Sequence, residues 1–155
     1  MLALVAAITL SAAEPAPRPH LIASVHLFPM TSFPDLLGAS VTVHAIPYVD
    51  VTSGLSWFPD RFGWWVRGGP RLQLADYRDD ANRGLTWRLS ALAGYRAFRD
   101  AKANAGGFSL VFSTDFTYFF SDHLGLTFQV AMGALYDDPS KRWLPEIRGG
   151  VGLSF

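Results

Sequence analysis

The imidazoles of His20, His26, His44 and His123 are the chain's obvious general bases, and Ser121-Asp122-His123 sets a hydroxyl, a carboxylate and an imidazole side by side. Nucleophilic hydrolysis uses those three types, each within hydrogen-bond reach of the next. Neighbouring positions in a tight turn do not by themselves create that geometry, so no catalytic residue is assigned and no enzymatic reaction is expected. The four histidines form no compact ligand motif, and a chain without cysteine has neither thiolate zinc sites nor thiol nucleophiles. Asp79-Asp80 and Asp137-Asp138 present oxygen ligands of the kind hard cations prefer, but each falls where a solvated turn is expected. Gly68-Gly69, Gly106-Gly107 and Gly149-Gly150 lack the spacing, the Lys-Ser/Thr pair and the strand-to-helix setting of a phosphate loop. Neither metal nor cofactor is expected.

The remaining charged residues are arranged along a pattern. The chain has 155 residues, half of them hydrophobic, with 13 basic and 13 acidic side chains that cancel. This balance leaves no footprint for nucleic acid or for an acidic substrate. Eleven of the basic residues are Arg; only Lys102 and Lys141 are Lys, and only Glu14 and Glu146 are Glu. A soluble surface usually draws far more on Lys and Glu.

Residues 1–13 read as a signal peptide, an apolar run ending in Ser11-Ala12-Ala13 with processing after Ala13, though the usual basic leading region is missing. Residues 14–20 read as a Pro-rich tether, and residues 21–155 as one domain. No stretch has about 18 uncharged apolar residues in a row, so no helical membrane span is expected.

From residue 21 the hydrophobic period is two. Eight strands are expected: 21–28, 36–45, 48–58, 64–75, 85–98, 108–120, 124–136 and 147–155. Near Pro70 a bulge or distorted pairing is expected, because proline cannot donate to a ladder. In the sixth strand Phe108, Leu110, Phe112, Thr114, Phe116, Tyr118 and Phe120 share one face against Ser109, Val111, Ser113, Asp115, Thr117 and Phe119. The seventh and eighth strands repeat the division: one face bulky, the other small or polar.

Two physical readings fit. A soluble barrel or sandwich would turn the bulky face inward, whereas a membrane barrel would turn it to lipid and fill a narrow lumen with Gly, Ser, Thr and paired charges. The strand charges favour the second. Asp50, Arg67, Arg71, Arg88, Arg96, Asp115 and Arg148 all fall on the small face. Seven charges would thinly coat a soluble exterior but would suit a hydrogen-bonded polar network plugging an eight-stranded barrel. His26 and His44, expected to face the same lumen from neighbouring strands, would approach one another.

Aromatic residues gather at the strand ends, as at a lipid–water interface. Trp57, Phe58, Trp64 and Trp65 flank one reversal, Tyr95, Phe98 and Phe108 another, and Tyr136 and Trp143 a third; Tyr48, Tyr118, Phe119 and Phe120 lie toward the opposite edge. An aromatic sandwich core is the competing explanation. Lipid cannot satisfy free strand edges, so the first strand is expected to pair with the last. The fold expected is all-β: an eight-stranded antiparallel transmembrane β-barrel with up-and-down meander topology. Connections 46–47, 76–84 and 121–123 would then be periplasmic, and 29–35, 59–63, 99–107 and 137–146 would face outward.

This pattern resembles the bacterial eight-stranded outer-membrane barrels, the broad group that holds the OmpA transmembrane domain and the OmpX-like and OmpW-like proteins. The likeness is strongest at Val151-Gly152-Leu153-Ser154-Phe155, alternating apolar residues that end in a carboxyl-terminal aromatic. The resemblance implies that Val151, Leu153 and Phe155 serve as an assembly signal read by the barrel-insertion machinery, and that the chain lies in the outer membrane. Its expected partners are outer-membrane lipid and lipopolysaccharide, with an unidentified protein at the outer loops. Arg61, Arg99, Lys102, Lys141 and Arg142 give those loops positive charge that lipid phosphates would meet, although solubility explains it equally well. The expected role is structural or interactive, with a plugged lumen. A narrow solute channel, a lipid-modifying outer-membrane enzyme and a secreted soluble binding module are the alternatives.

Overall fold

The computed structural model describes residues 23–29, 37–46, 48–58, 61–100, 104–138 and 141–155. The signal-like segment and the Pro-rich tether lie outside the described residues. The elements are β1 (Ala23–Pro29), β2 (Leu37–Ile46), β3 (Val49–Phe58), β4 (Arg61–Arg78), β5 (Gly84–Asp100), β6 (Asn104–Ser121), β7 (Leu124–Asp137) and β8 (Arg142–Ser154). Each pairs antiparallel with the next, and β1 closes the barrel on β8 from Ser24 opposite Ser154 to Leu27 opposite Val151. Closure leaves no outermost strand whose whole length lacks a neighbour.

Strands β4 to β6 are much longer than the periodicity suggests, and the connections correspondingly shorter. The expected 59–63, 99–107 and 137–146 connections reduce to residues 59–60, 101–103 and 138–141. Gly63, Gly106, Gly107 and Pro145, which read as loop punctuation, all lie inside strands. At Gly107 the reason is close approach, since a Cβ there would run into the Tyr136 carbonyl of β7. The 76–84 connection shrinks to residues 79–83, where Asn82 takes a left-handed φ of 57° and the Asp79 amide donates to the Arg83 carbonyl at 2.8 Å.

Gly69 and Pro70 have no partner in the β4–β5 register, the distorted pairing expected near Pro70, while the register shift itself falls between Gln73 and Ala75. Pro70 points outward opposite Val49, the last β3 pairing, and the following amide, that of Arg71, donates to the Tyr48 carbonyl at 2.7 Å. A bulge places one extra residue in the strand and so exchanges the two faces beyond it. Gln73 above the bulge and Asp76 and Arg78 below it therefore share the interior, linked by Gln73 Nε2 to Asp76 Oδ2 at 3.0 Å and Arg78 Nε to Asp76 Oδ1 at 2.8 Å.

The barrel is inside-out relative to a water-soluble domain. Among the described residues the buried hydrophobic side chains are Trp65, Leu92, Val111, Phe119, Ala131 and Leu135, against twenty buried polar or charged ones. Large apolar side chains instead cover the outside: Val51, Leu55, Val66, Leu72, Leu89, Leu110, Phe112, Leu126, Phe128, Met132, Ile147 and Val151 are all exposed. The aliphatic zone lies between two aromatic levels. Trp64 and Tyr95 meet at 6.0 Å and Tyr136 and Trp143 at 5.3 Å toward one end, while Trp87 stacks on Phe116 at 5.4 Å and Tyr118 meets Phe120 at 5.4 Å toward the other. Among the described side chains, three aromatics depart from the expected belts. Trp65 and Phe119 are buried in the lumen, and Phe98, half-buried, lies beside the Arg96 guanidinium.

Candidate functional site in the barrel lumen

Eight strands enclose a lumen just wide enough for side chains to fill. In a strand every second residue points in, so the lumen's content follows from sequence parity. Asp50, Arg67, Arg88, Arg96, Asp115 and Arg148 are buried there, and Arg71 is nearly so, but among the described residues their contacts do not form one network. They divide between two clusters at different heights.

The upper cluster is built around Glu146, which the expected topology assigns to a loop. Its carboxylate accepts from Arg67 Nη2 at 2.7 Å on each oxygen, from Arg96 Nη1 at 2.6 Å and from Ser109 Oγ at 3.1 Å, and Arg148 Nε stands 3.2 Å from Oε1 as an ion pair. Arg96 also donates to Ser56 Oγ at 3.3 Å. One carboxylate thus draws together guanidinium groups from β4, β5 and β8. Trp65 completes the plug: the Arg67, Arg96 and Arg148 guanidinium carbons lie 5.6, 5.4 and 4.4 Å from its ring centroid. Cations over an indole face are attracted by its quadrupole, so the ring serves as a second, uncharged partner for them.

Trp65 fits because Gly54 faces it from β3. A Cβ at Gly54 would overlap the six-membered ring of Trp65, so the side-chain-free position is what admits an indole into so narrow a lumen. Gly54→Ala should cost about 1 to 3 kcal/mol through overpacking. Urea unfolding in detergent checks the loss, and a changed near-UV circular dichroism spectrum locates it at a tryptophan.

The lower cluster centres on Asp50. Its Oδ1 lies 2.5 Å from His44 Nδ1 and 3.6 Å from Arg71 Nη1, and its Oδ2 accepts from Ser90 Oγ at 2.6 Å. His44 Nε2 in turn meets Arg88 Nη1 at 3.1 Å. Asp115 accepts from Ser113 Oγ at 3.0 Å and lies opposite Gln129 of β7. Below these, Thr117, Thr127 and Ser154 join β6, β7 and β8 through hydroxyl contacts of 2.8 and 2.6 Å. Ser90, Asp50 and His44 are the residue types of a hydrolase, but Ser90 bonds the carboxylate and the imidazole nitrogen that would activate it faces Arg88. The expected approach of His26 and His44 does not follow the register, which sets His26 opposite Ser40 and His44 opposite Asp50.

Ser121, Asp122 and His123 lie exposed at a reversal, with the His123 amide on Ser121 Oγ at 3.4 Å. Asp79 pairs with Arg83 at 3.5 Å across its own turn. Among the described residues no group of three or more His, Asp or Glu side chains is placed to hold a metal ion. Val151, Leu153 and Phe155 are exposed on the outer face.

No family model matches the chain, and no curated protein does. Among solved structures it is similar to Ail, the attachment invasion locus protein of Yersinia pestis, at 12% sequence identity and a TM-score of 0.39, with 88% of this chain and 99% of that chain covered.

Proposed function

We propose that the chain is a structural outer-membrane β-barrel whose outer face meets lipid and whose lumen is sealed by its own side chains. The observation that carries this reading is the inversion of polarity: buried Arg, Asp, Glu, Ser and Thr inside, an apolar belt outside. A patch of that extent would drive aggregation in water but is the ordinary exterior of a barrel in lipid. The dimensions agree. From Phe108 to Tyr118 along β6 are ten residue steps, about 33 Å of strand. At a tilt of about 40° that becomes about 25 Å of height, the thickness of an outer-membrane apolar band.

The plug argues against free passage of solutes, because the Glu146 cluster and Trp65 pack against one another across the lumen. The connections at 59–60, 101–103 and 138–141 are short, and the fourth outward connection, 30–36, lies outside the described residues. Lipid and lipopolysaccharide are the better-supported partners, met by the apolar belt and by exposed Arg99, Lys141 and Arg142 at that rim. Val151, Leu153 and Phe155 would serve as the signal read by the insertion machinery.

Fractionation of cells making the protein tests this. It should remain with the outer membrane through a high-salt wash, migrate on gels in a heat-modifiable way and leave planar bilayers sealed. Release as a soluble monomer would overturn the membrane assignment, and steady selective conductance would overturn the seal.

A further inference from the structure

We propose that His44 is a proton-operated latch: its neutral imidazole ties the β2–β3 hairpin to Arg88 of β5 across the lumen, and its protonation releases that tie. The two ring nitrogens are engaged in opposite senses. Nδ1 faces the Asp50 carboxylate at 2.5 Å, and an ionised carboxylate only accepts, so Nδ1 carries the hydrogen. Nε2 faces the Arg88 guanidinium at 3.1 Å, and a guanidinium only donates, so Nε2 presents its lone pair. Together the contacts select one neutral tautomer.

A proton added at Nε2 would set N–H against N–H and cation against cation. Asp50 holds the imidazolium more strongly than the imidazole, so the group that gives way is Arg88. The groups around the pair on the described strands are Asp50 on β3, Arg71 on β4, 3.6 Å from the same Asp50 oxygen, Arg78 farther along β4, Ser90 beside Asp50 on β5, and Asp115, directly opposite Arg88 on β6. Arg88 therefore has an acceptor toward which to turn, along the sheet instead of across the lumen. The local backbone suits a release point: the β2–β3 register shifts between His44 and Ile46, immediately before the reversal. Imidazole is the side chain that gains a proton most readily on acidification, so acid is the trigger.

The latch lies wholly within the lumen, so its test does not depend on whether the outer face meets lipid. Nitrogen-15 spectra of the full chain, in micelles or in buffer if it proves soluble, should show His44 neutral at about pH 7.5 with Nδ1 protonated and Nε2 bare, titrating as one proton is added. Unfolding of the wild-type protein should be about tenfold faster at about pH 5 than at about pH 7.5, as expected for loss of a hydrogen bond to a charged group. His44→Gln should show less than about a twofold change, since its amide can donate to Asp50 and accept from Arg88 but gains no proton. An Nε2-protonated tautomer or an imidazolium at the higher pH would overturn the latch, as would equal acid acceleration in wild type and His44→Gln. If that variant does not fold, Arg88→Met replaces it: acid acceleration should vanish without the guanidinium, and its persistence would overturn the latch.

Discussion

Glu146→Ala is expected to destabilise the folded barrel by about 3 to 5 kcal/mol, the range for removing one partner of a buried ionic group. Glu146 is 1% exposed and receives three guanidinium groups, themselves 0 to 4% exposed, so its loss removes the carboxylate that Arg67, Arg96 and Arg148 share. Trp65 cannot replace the carboxylate: a ring quadrupole contributes about 2 kcal/mol even when desolvated. Urea titration in micelles, followed by the heat-modifiable gel shift, measures the change. Coupling is part of the expectation, since Arg67→Met together with Glu146→Ala should cost clearly less than the sum of the single changes. Additive losses would mean that Glu146 acts separately from the guanidinium cluster.

Phe112→Arg is expected to cost about 2 to 4 kcal/mol, the value for a cation on the lipid face near the bilayer midplane. Phe112 is 56% exposed and sits about midway between the aromatic levels marked by Phe108 and Phe116 on the same strand. Phe116 is the poorer probe because it stacks on Trp87 in the lower aromatic level, where an arginine would reach the interface. Substituted to arginine in parallel and measured by refolding into lipid vesicles, Phe112 should lose more stability than Phe116. A loss confined to Phe116 would displace the apolar band along the strand.

Much of this arrangement is legible in the sequence because alternation carries over to side-chain direction without further information. Along β6 and β7 the bulky and small faces separate cleanly, and Arg148 marks the inner face of β8. The same parity contains two facts that composition hides. Trp65 lies two residues from Arg67 and so must share its side of β4, although its position in an aromatic cluster suggests a belt. Glu146 lies two residues from Arg148 and must share the lumen with it, although neighbouring Pro145 suggests a loop. At an outward position on β8, however, Pro145 fits within a strand. What parity cannot give is register. The bulge between Gln73 and Ala75 changes which residues of β4 point inward, and only the pairing with β5 reveals it. The distinction between one polar network and two is illegible for the same reason, because the height at which inward residues meet depends on the stagger between strands.

The two clusters give the lumen a division of labour. The upper one joins β4, β5, β6 and β8 through a single carboxylate, and the lower one joins β2, β3, β4 and β5 through Asp50 and His44. Glu146 of β8 reaches β4 and β5, and His44 of β2 reaches Arg88 of β5, so these contacts span strands that do not pair and fix the barrel's cross-section in a way that ladder pairing alone does not.

The most direct test of the account is the direction in which successive β6 residues point in a bilayer. The chain has no cysteine, so single cysteines placed in turn from Leu110 to Thr117 can each carry one nitroxide label. In lipid vesicles, collision with dissolved oxygen should be high at 110, 112, 114 and 116 and low at 111, 113, 115 and 117, with a water-soluble nickel complex excluded throughout. Oxygen access at the odd positions, or nickel access at the even ones, would contradict a barrel that turns its apolar face to lipid and fills its lumen with charge.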